Sequence, residues 1–196
     1  MSVAERADVA LLKEKFGGAI ESVTDKNGDV YVCVATESLE EIAKFLKEDP
    51  RLAYNYYVEC VGVDYLTWEH GRDFYKRYEV IHNLYSIDFN TRLFIKVACD
   101  DGETVPSLIN VYMGAEYPER EIWDLLGVVF KGNEQKERFL LPDDWVGHPL
   151  RKDVGLGGED VVFDSGTLGP AVEDVQSPHA GESFEGKTGS EDVSGR

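Results

Sequence analysis

From Glu5 to Phe16 the apolar residues Val9, Leu11, Leu12 and Phe16 recur at helical intervals, and Gly17-Gly18 ends the run as C-terminal glycines do. A first helix is predicted there. Ala19 to Val23 and Val30 to Val34 flank Thr24-Asp25-Lys26-Asn27-Gly28-Asp29, where Asn-Gly supplies the positive φ angles of a tight turn, so this stretch predicts a hairpin. Ser38 stands at an N-cap position, with Glu41 placed as in a capping box. Ile42, Phe45 and Leu46 form a narrow apolar stripe before Pro50, predicting a second helix over Leu39 to Glu48.

Tyr54 to Trp68, Phe74 to Leu84 and Arg92 to Ala98 are rich in aromatic and β-branched residues or alternate in part, which predicts three further strands. The breaks at Glu69-His70-Gly71-Arg72-Asp73 and at Ser86 to Thr91 are short enough to join antiparallel neighbours. Beyond Asp100-Asp101-Gly102-Glu103 the texture changes. Val105 to Met113 and Pro118 to Leu126 read as two short helices separated by Gly114-Ala115-Glu116, and Ile122, Leu125, Leu126 and Val129 give the second one buried face. The pattern therefore predicts an α+β fold. Its antiparallel or mixed sheet has about five strands, paired with their sequential antiparallel neighbours, with helices on one face, followed by a helical pair and a long irregular C-terminal extension. The expected organisation is an α+β domain over residues 1–130 that includes the helical pair, an irregular docking segment over 131–153, and an acidic, glycine-rich segment over 154–196.

Composition changes this picture mainly at the C-terminus. The 196 residues suffice for one full core. From residue 154 onward the chain holds nine glycines and nine acidic residues against only Lys187 and Arg196, with no sustained period. That segment is either a free acidic tail or an arm that orders by lying along another protein, with Val161-Val162-Phe163, Leu168 and Phe184 as its anchors. The chain as a whole carries 20 Lys plus Arg against 38 Asp plus Glu, a formal charge of -18, which disfavours nucleic-acid binding. Its longest apolar stretches, Val128-Val129-Phe130 and Leu140-Leu141, are far too short to cross a bilayer. The Met1 to Asp8 segment lacks the basic and apolar regions of a secretion signal, so the protein is expected to stay where it is made.

Cys33, Cys60 and Cys99 lie 27 and 39 positions apart, each in an apolar or alternating run, and read as buried reduced thiols. His70, His82, His148 and His179 are equally scattered and give no support to a metal site. Gly155-Leu156-Gly157-Gly158 follows a loop and lacks the lysine and hydroxyl of a phosphate cradle.

Two clusters remain as candidate functional sequence. The first is Pro118-Glu119-Arg120-Glu121-Ile122-Trp123-Asp124. On a helix Arg120 and Asp124 are spaced to pair, while Glu119 and Glu121 point to different faces and cannot form an acid–base dyad. The second runs from Leu141 to Asp153, irregular in pattern yet dense in Trp, Pro, Arg and Lys. Trp145 and Arg151 are residue types that anchor interfaces, which points to a partner-docking loop; a Pro-punctuated surface turn at Pro142-Asp143-Asp144 is the plain alternative. His148 has no nucleophile or orienting partner beside it in the sequence, so a catalytic role is disfavoured.

Taken together, Glu119-Arg120-Glu121-Ile122-Trp123-Asp124-Leu125-Leu126-Gly127-Val128-Val129-Phe130-Lys131-Gly132 and Leu140-Leu141-Pro142-Asp143-Asp144-Trp145-Val146-Gly147-His148-Pro149-Leu150-Arg151-Lys152-Asp153 resemble the signature of the 30-kDa subunit of respiratory complex I. Val61-Gly62-Val63-Asp64-Tyr65 and Val105-Pro106-Ser107 fit the same pattern, so the resemblance covers Tyr54 to Asp153. The chain departs from it at Gly132 to Glu137, at Trp123 and Leu126, and at Val154-Gly155.

The resemblance implies a non-catalytic peripheral-arm subunit of a proton-pumping NADH:quinone oxidoreductase, with no flavin, iron–sulfur cluster or quinone ligand of its own. Those cofactors would sit in partner subunits. The implied partners are the 49-kDa-type quinone-site subunit and the neighbouring iron–sulfur subunits, on the cytoplasmic or matrix side of the membrane. Carried over by position, Glu119, Arg120, Glu121 and Asp124 form the helix start, and His148, Pro149, Leu150, Arg151, Lys152 and Asp153 the docking loop, with Trp145 as a further interface anchor in the same irregular segment. The alternatives are the equivalent subunit of a membrane-bound hydrogenase or of a deazaflavin- or ferredoxin-linked dehydrogenase, and a free-standing acidic adaptor.

Overall fold

The alternating stretches become a five-stranded sheet in which each strand turns one set of side chains toward three helices. The computed structural model describes residues 6–68, 75–134 and 137–155. In chain order the elements are α1 (Ala7–Phe16), β1 (Ile20–Lys26), β2 (Asp29–Val34), α2 (Leu39–Glu48), β3 (Tyr56–Asp64), β4 (Tyr78–Ser86), β5 (Thr91–Cys99), β6 (Thr104–Pro106), α3 (Glu116–Leu126) and β7 (Val129–Lys131). Internal contacts divide the chain into Met1–Val154 and Gly155–Arg196. The expected anchors Val161 to Phe163, Leu168 and Phe184, and the loop Glu69 to Asp73, lie outside the described residues.

The strands are ordered β1-β2-β5-β4-β3. Asn27 and Gly28 both have positive φ, 59° and 91°, which matches the right-handed twist of the β1–β2 hairpin, so a short turn closes it. From β2 the chain crosses through α2, and the meander β3–β4–β5 then returns to set β5 parallel to β2. Within the five-stranded sheet that junction departs from sequential antiparallel pairing: the α2 crossover lets two strands far apart in sequence run side by side.

Register shows which face is buried. Val32 pairs with Ile95, Leu84 with Leu93 and Val80 with Val97, and all six are at most 1% exposed. They share one core with Val9, Leu12 and Phe16 of α1, with Leu39, Ile42 and Leu46 of α2, and with Ile122 and Leu126 of α3. The helices thus lie on one face, as the apolar stripes predict. Gly62 sets how closely α3 approaches β3: a Cβ there would stand 2.7 Å from Leu126 Cδ1 and 2.8 Å from Ile122 Cγ2. The opposite face carries the stacked rings of Tyr31 and Phe94 at 4.6 Å and the buried Lys96–Glu79 ion pair at 2.7 Å. Cys33, Cys60 and Cys99 are buried and form no disulfide with one another.

Three local expectations are corrected. Ser38 closes a 3-10 turn, Thr36–Ser38, at φ -95° and ψ -1°, and makes no side-chain cap bond; its near-helical backbone replaces the extended conformation that a capping box needs. Val105 to Met113 is not a helix. Thr104–Pro106 pairs in parallel with Val129–Lys131, and a 3-10 turn at Met113–Ala115 leads into α3. Val129 accordingly belongs to a strand and not to the helical face, so the expected helical pair is one helix and a short strand.

His82 is enclosed in this core, its Nδ1 hydrogen-bonded to Tyr57 Oη at 3.0 Å and its Nε2 without a partner. Burial pushes its pKa from 6.5 down to about 3. Below 6.5 the unfolded chain takes up a proton that the folded chain refuses, so stability falls as pH falls through this window, by up to about 1.4 kcal/mol per pH unit. Urea midpoints between about pH 5 and pH 6.5 should fall with pH in the wild type, and His82→Gln should flatten that dependence. An equally steep dependence in the variant assigns it to other groups.

Candidate functional site

The first turn of helix α3 puts one of its carboxylates out of solvent. Glu119 is fully buried and accepts hydrogen bonds from Ser107 Oγ at 2.6 Å, the Leu108 amide at 2.7 Å and Asn133 Nδ2 at 3.2 Å. It ties the segment after β6 and the segment after β7 to one carboxylate. Burial outweighs these bonds and raises its pKa above the ordinary glutamate value. Glu121, two positions on, faces solvent, so the two carboxylates are separated as the helical spacing predicts.

Asp124 is the centre of a second set of bonds. Its Oδ2 accepts the amides of Phe139 at 3.1 Å, Leu140 at 2.8 Å and Leu141 at 3.0 Å, and its Oδ1 accepts Arg138 at 2.9 Å. Burial alone would raise this carboxyl, but the amides and the guanidinium overcome it and hold it at about 2. Arg138 reaches onward to the carbonyls of Trp145 at 2.8 Å and Gly147 at 3.0 Å, and its guanidinium lies 5.4 Å from the Trp123 ring centroid. The expected Arg120–Asp124 pair does not form: Arg138 takes Asp124, and Arg120 donates to the carbonyls of Glu137 at 2.7 Å and Arg138 at 2.8 Å. A loop residue with five donors in a rigid fork satisfies several acceptors at once, which an intrahelical ion pair on the surface does not.

His148 completes this clamp. Its Nδ1–H donates to the Asp124 carbonyl at 2.8 Å, and its ring sits edge-on to Trp123 at 6.1 Å. The ring also lies against Gly127, where φ is +81° and a Cβ would stand 2.7 Å from His148 Cδ2. Gly127 serves two purposes there, as the left-handed cap of α3 and as the seat of the imidazole. The Leu150 amide donates to the Leu125 carbonyl at 3.1 Å.

The last part of the loop is fastened to the sheet. Asp64, at the end of β3, receives Arg77 at 2.8 Å and the Lys152 amide at 2.9 Å. Arg77 also meets Asp153 at 3.0 Å, while Arg151 donates to Asp101 at 3.2 Å and to Asp153 at 3.3 Å. Arg77 and Arg151 together hold the Asp153 carboxyl well below its usual range. Arg151, whose residue type suggests an interface anchor, spends its guanidinium within the chain.

Much of what remains outward is apolar, beside the exposed carboxylates of Asp143 and Asp144. Phe139, Leu140, Trp145, Val146 and Leu150 are all exposed, Val146 to 94%. Of the residues singled out in sequence, Glu119 and Asp124 are buried clamps; Arg120, His148, Pro149 and Arg151 are half-buried; Glu121, Trp145, Leu150, Lys152 and Asp153 are exposed. The structure brings Asp124, Trp145, His148 and Leu150 into one unit. Sequence reasoning missed Arg138, which joins them, and Asp64, Arg77 and Asp101, which lie too far apart along the chain to show any spacing.

Residues 32–160 match the family described as respiratory-chain NADH dehydrogenase, 30 Kd subunit. An NADH-quinone oxidoreductase subunit of the same type from Roseiflexus sp. (strain RS-1) is 42% identical over 163 residues, covering 83% of this chain and 87% of that protein. The corresponding protein from Geotalea uraniireducens (strain Rf4) is 42% identical over 153 residues, covering 78% of this chain and 88% of its own length. Among solved structures, the trypsin-resistant fragment of Nqo5 superposes with a TM-score of 0.55 at 26% identity, covering 65% of this chain and 97% of the fragment. Both signature clusters fall inside the matched span, and the chain belongs to the family of the respiratory-chain NADH dehydrogenase 30-kDa subunit.

Proposed function

We propose that this chain acts within NADH-quinone oxidoreductase as a scaffold whose loop from Glu137 to Val154 docks onto a neighbouring subunit. One observation carries the reading. The buried groups of the signature, Asp124 above all, are spent on holding a loop whose apolar side chains then stand in solvent. A chain that invests a carboxylate, three amides and an arginine in presenting Leu140, Trp145, Val146 and Leu150 is preorganised for binding, since little ordering is left for the moment of association. Trp145, among these side chains, is of a residue type that dominates interface energetics.

The partner this reading favours is the 49-kDa-type subunit of the quinone site, with iron–sulfur subunits adjacent, and flavin, clusters and quinone held in those partners and not in this chain. Its contribution to electron transfer is positional: a rigid loop seated between redox subunits keeps their spacing fixed. No helix among the described residues is long and apolar enough to cross a membrane, in keeping with a peripheral position; the side this reading assigns is the cytoplasmic one.

The test is co-purification from gently solubilised native membranes. Wild-type chain should bring down the NADH- and flavin-binding subunits with NADH:quinone activity, whereas Val146→Glu/Leu150→Glu should lose them while keeping its own fold, because both side chains are exposed. Normal recovery and activity of the complex with that variant rejects docking through the loop. A nickel–iron or deazaflavin subunit in the wild-type eluate would assign the chain to another complex.

A further inference from the structure

We infer that the surface receiving the loop is basic: an apolar socket rimmed by lysine and arginine side chains. This deepens the docking role proposed above and rests on it. The loop's own charges point to such a socket. Arg138 is 14% exposed and bonded to Asp124 and to two carbonyls; Arg120 is 10% exposed and bonded to the carbonyls of Glu137 and Arg138; Arg151 is 18% exposed and paired with Asp101 and Asp153. Each guanidinium of the site is turned inward.

The carboxylates of the turn after Pro142 are not. Asp143 and Asp144 are exposed in the turn closed by the Trp145 amide on the Pro142 carbonyl at 3.0 Å, and the Glu137 side chain is 86% exposed. Lys152, at the far end of the loop beside Asp153, is the exposed cation of the segment. The turn therefore presents negative charge directly beside Leu140, Trp145 and Val146.

Seating those apolar side chains in a partner strips water from Asp143 and Asp144 as well. An ionised carboxylate taken out of water without a counter-charge is strongly destabilising, so a partner that buries Trp145 must bring cations to the rim. The chain's formal charge of -18 adds a long-range field that steers a basic surface toward it.

The test measures association of the full-length chain with the complex depleted of this subunit, at low and high ionic strength. Asp143→Lys/Asp144→Lys should slow association about tenfold at low salt and abolish its salt dependence, with Asp143→Asn/Asp144→Asn intermediate. Glu40→Lys/Glu41→Lys makes the same change in net charge at exposed positions on α2 and should stay near wild type. Association of the Asp143/Asp144 lysine variant at the wild-type rate in both salts overturns the basic rim, as does equal slowing by the α2 variant. If Val146→Glu/Leu150→Glu still blocks association in either case, the docking role stands and only the rim falls. Normal association of that apolar-face variant removes the docking role itself.

Discussion

Replacing Asp124 with alanine is expected to cost about 3–5 kcal/mol and to release the loop from Glu137 to Gly147, because it removes one partner of a buried ion pair and leaves the other behind. Arg138 would be half-enclosed without its carboxylate, and the amides of Phe139, Leu140 and Leu141 would lose their common acceptor. The damage should be directional. Those amides lie in irregular chain with no ladder to fall back on, so they should exchange with solvent far faster in the variant. Amides of β4 and β5, which bond within the sheet, should keep their order of protection. Denaturant unfolding gives the stability loss, and residue-resolved hydrogen exchange gives its location. An Asp124→Ala chain with unchanged protection at Phe139 to Leu141 would show that the carboxylate does not hold the loop.

Glu119→Ala should be similarly severe, costing about 3 kcal/mol or more, since Ser107, Leu108 and Asn133 each lose a buried acceptor and a cavity opens between β6 and α3. Glu119→Gln should cost less than the alanine variant, because an amide oxygen can take the Leu108 bond and Ser107 can reverse its hydroxyl, which leaves only the Asn133 amide without this acceptor. The sign of the pH effect separates shape from charge. A carboxyl whose folded pKa is raised adds stability below the unfolded value of 4.5 and loses that contribution as pH rises through the folded value. Wild type should thus lose stability relative to Glu119→Gln as pH climbs from 4.5 toward neutral. His82 pulls the other way over part of this range, so each effect is read as a difference between a variant and wild type. A glutamine variant as unstable as the alanine variant would mean that the negative charge itself is required.

Most of the fold is legible from local pattern. The stripe of Ile42 and Leu46 places α2, Asn27-Gly28 places the hairpin, and the aromatic and β-branched runs place β3, β4 and β5 close to their observed bounds. The failures share a physical cause. Val105 reads as helical because its apolar neighbours recur at short intervals, but its strand exists only through a partner 25 residues later, Phe130, which no window around Val105 contains. Ser38 is the right residue type for a cap, and a preceding 3-10 turn takes away the backbone geometry the cap requires.

The site is legible by composition and not by connectivity. Trp145 and Leu150 are visible as apolar residues in irregular chain, and they stand exposed. That Asp124 turns inward to the loop, and not along its helix to Arg120, depends on Arg138, whose role becomes visible only when the loop folds back over Trp123. Arg151 illustrates the same point from the other side. Its residue type suggests an external partner, and Asp101, some fifty positions away, supplies an internal one.

The docking role stands or falls on whether the loop is covered when the chain is in its complex. Hydroxyl-radical footprinting of the intact NADH-quinone oxidoreductase, compared with the free chain, reads this residue by residue at Leu140, Trp145, Val146 and Leu150. Oxidation at all four should drop several-fold in the complex, as expected for side chains buried at the centre of an interface. Labelling of Trp145 and Val146 in the complex at the level of the free chain would place the interface elsewhere and contradict the docking role.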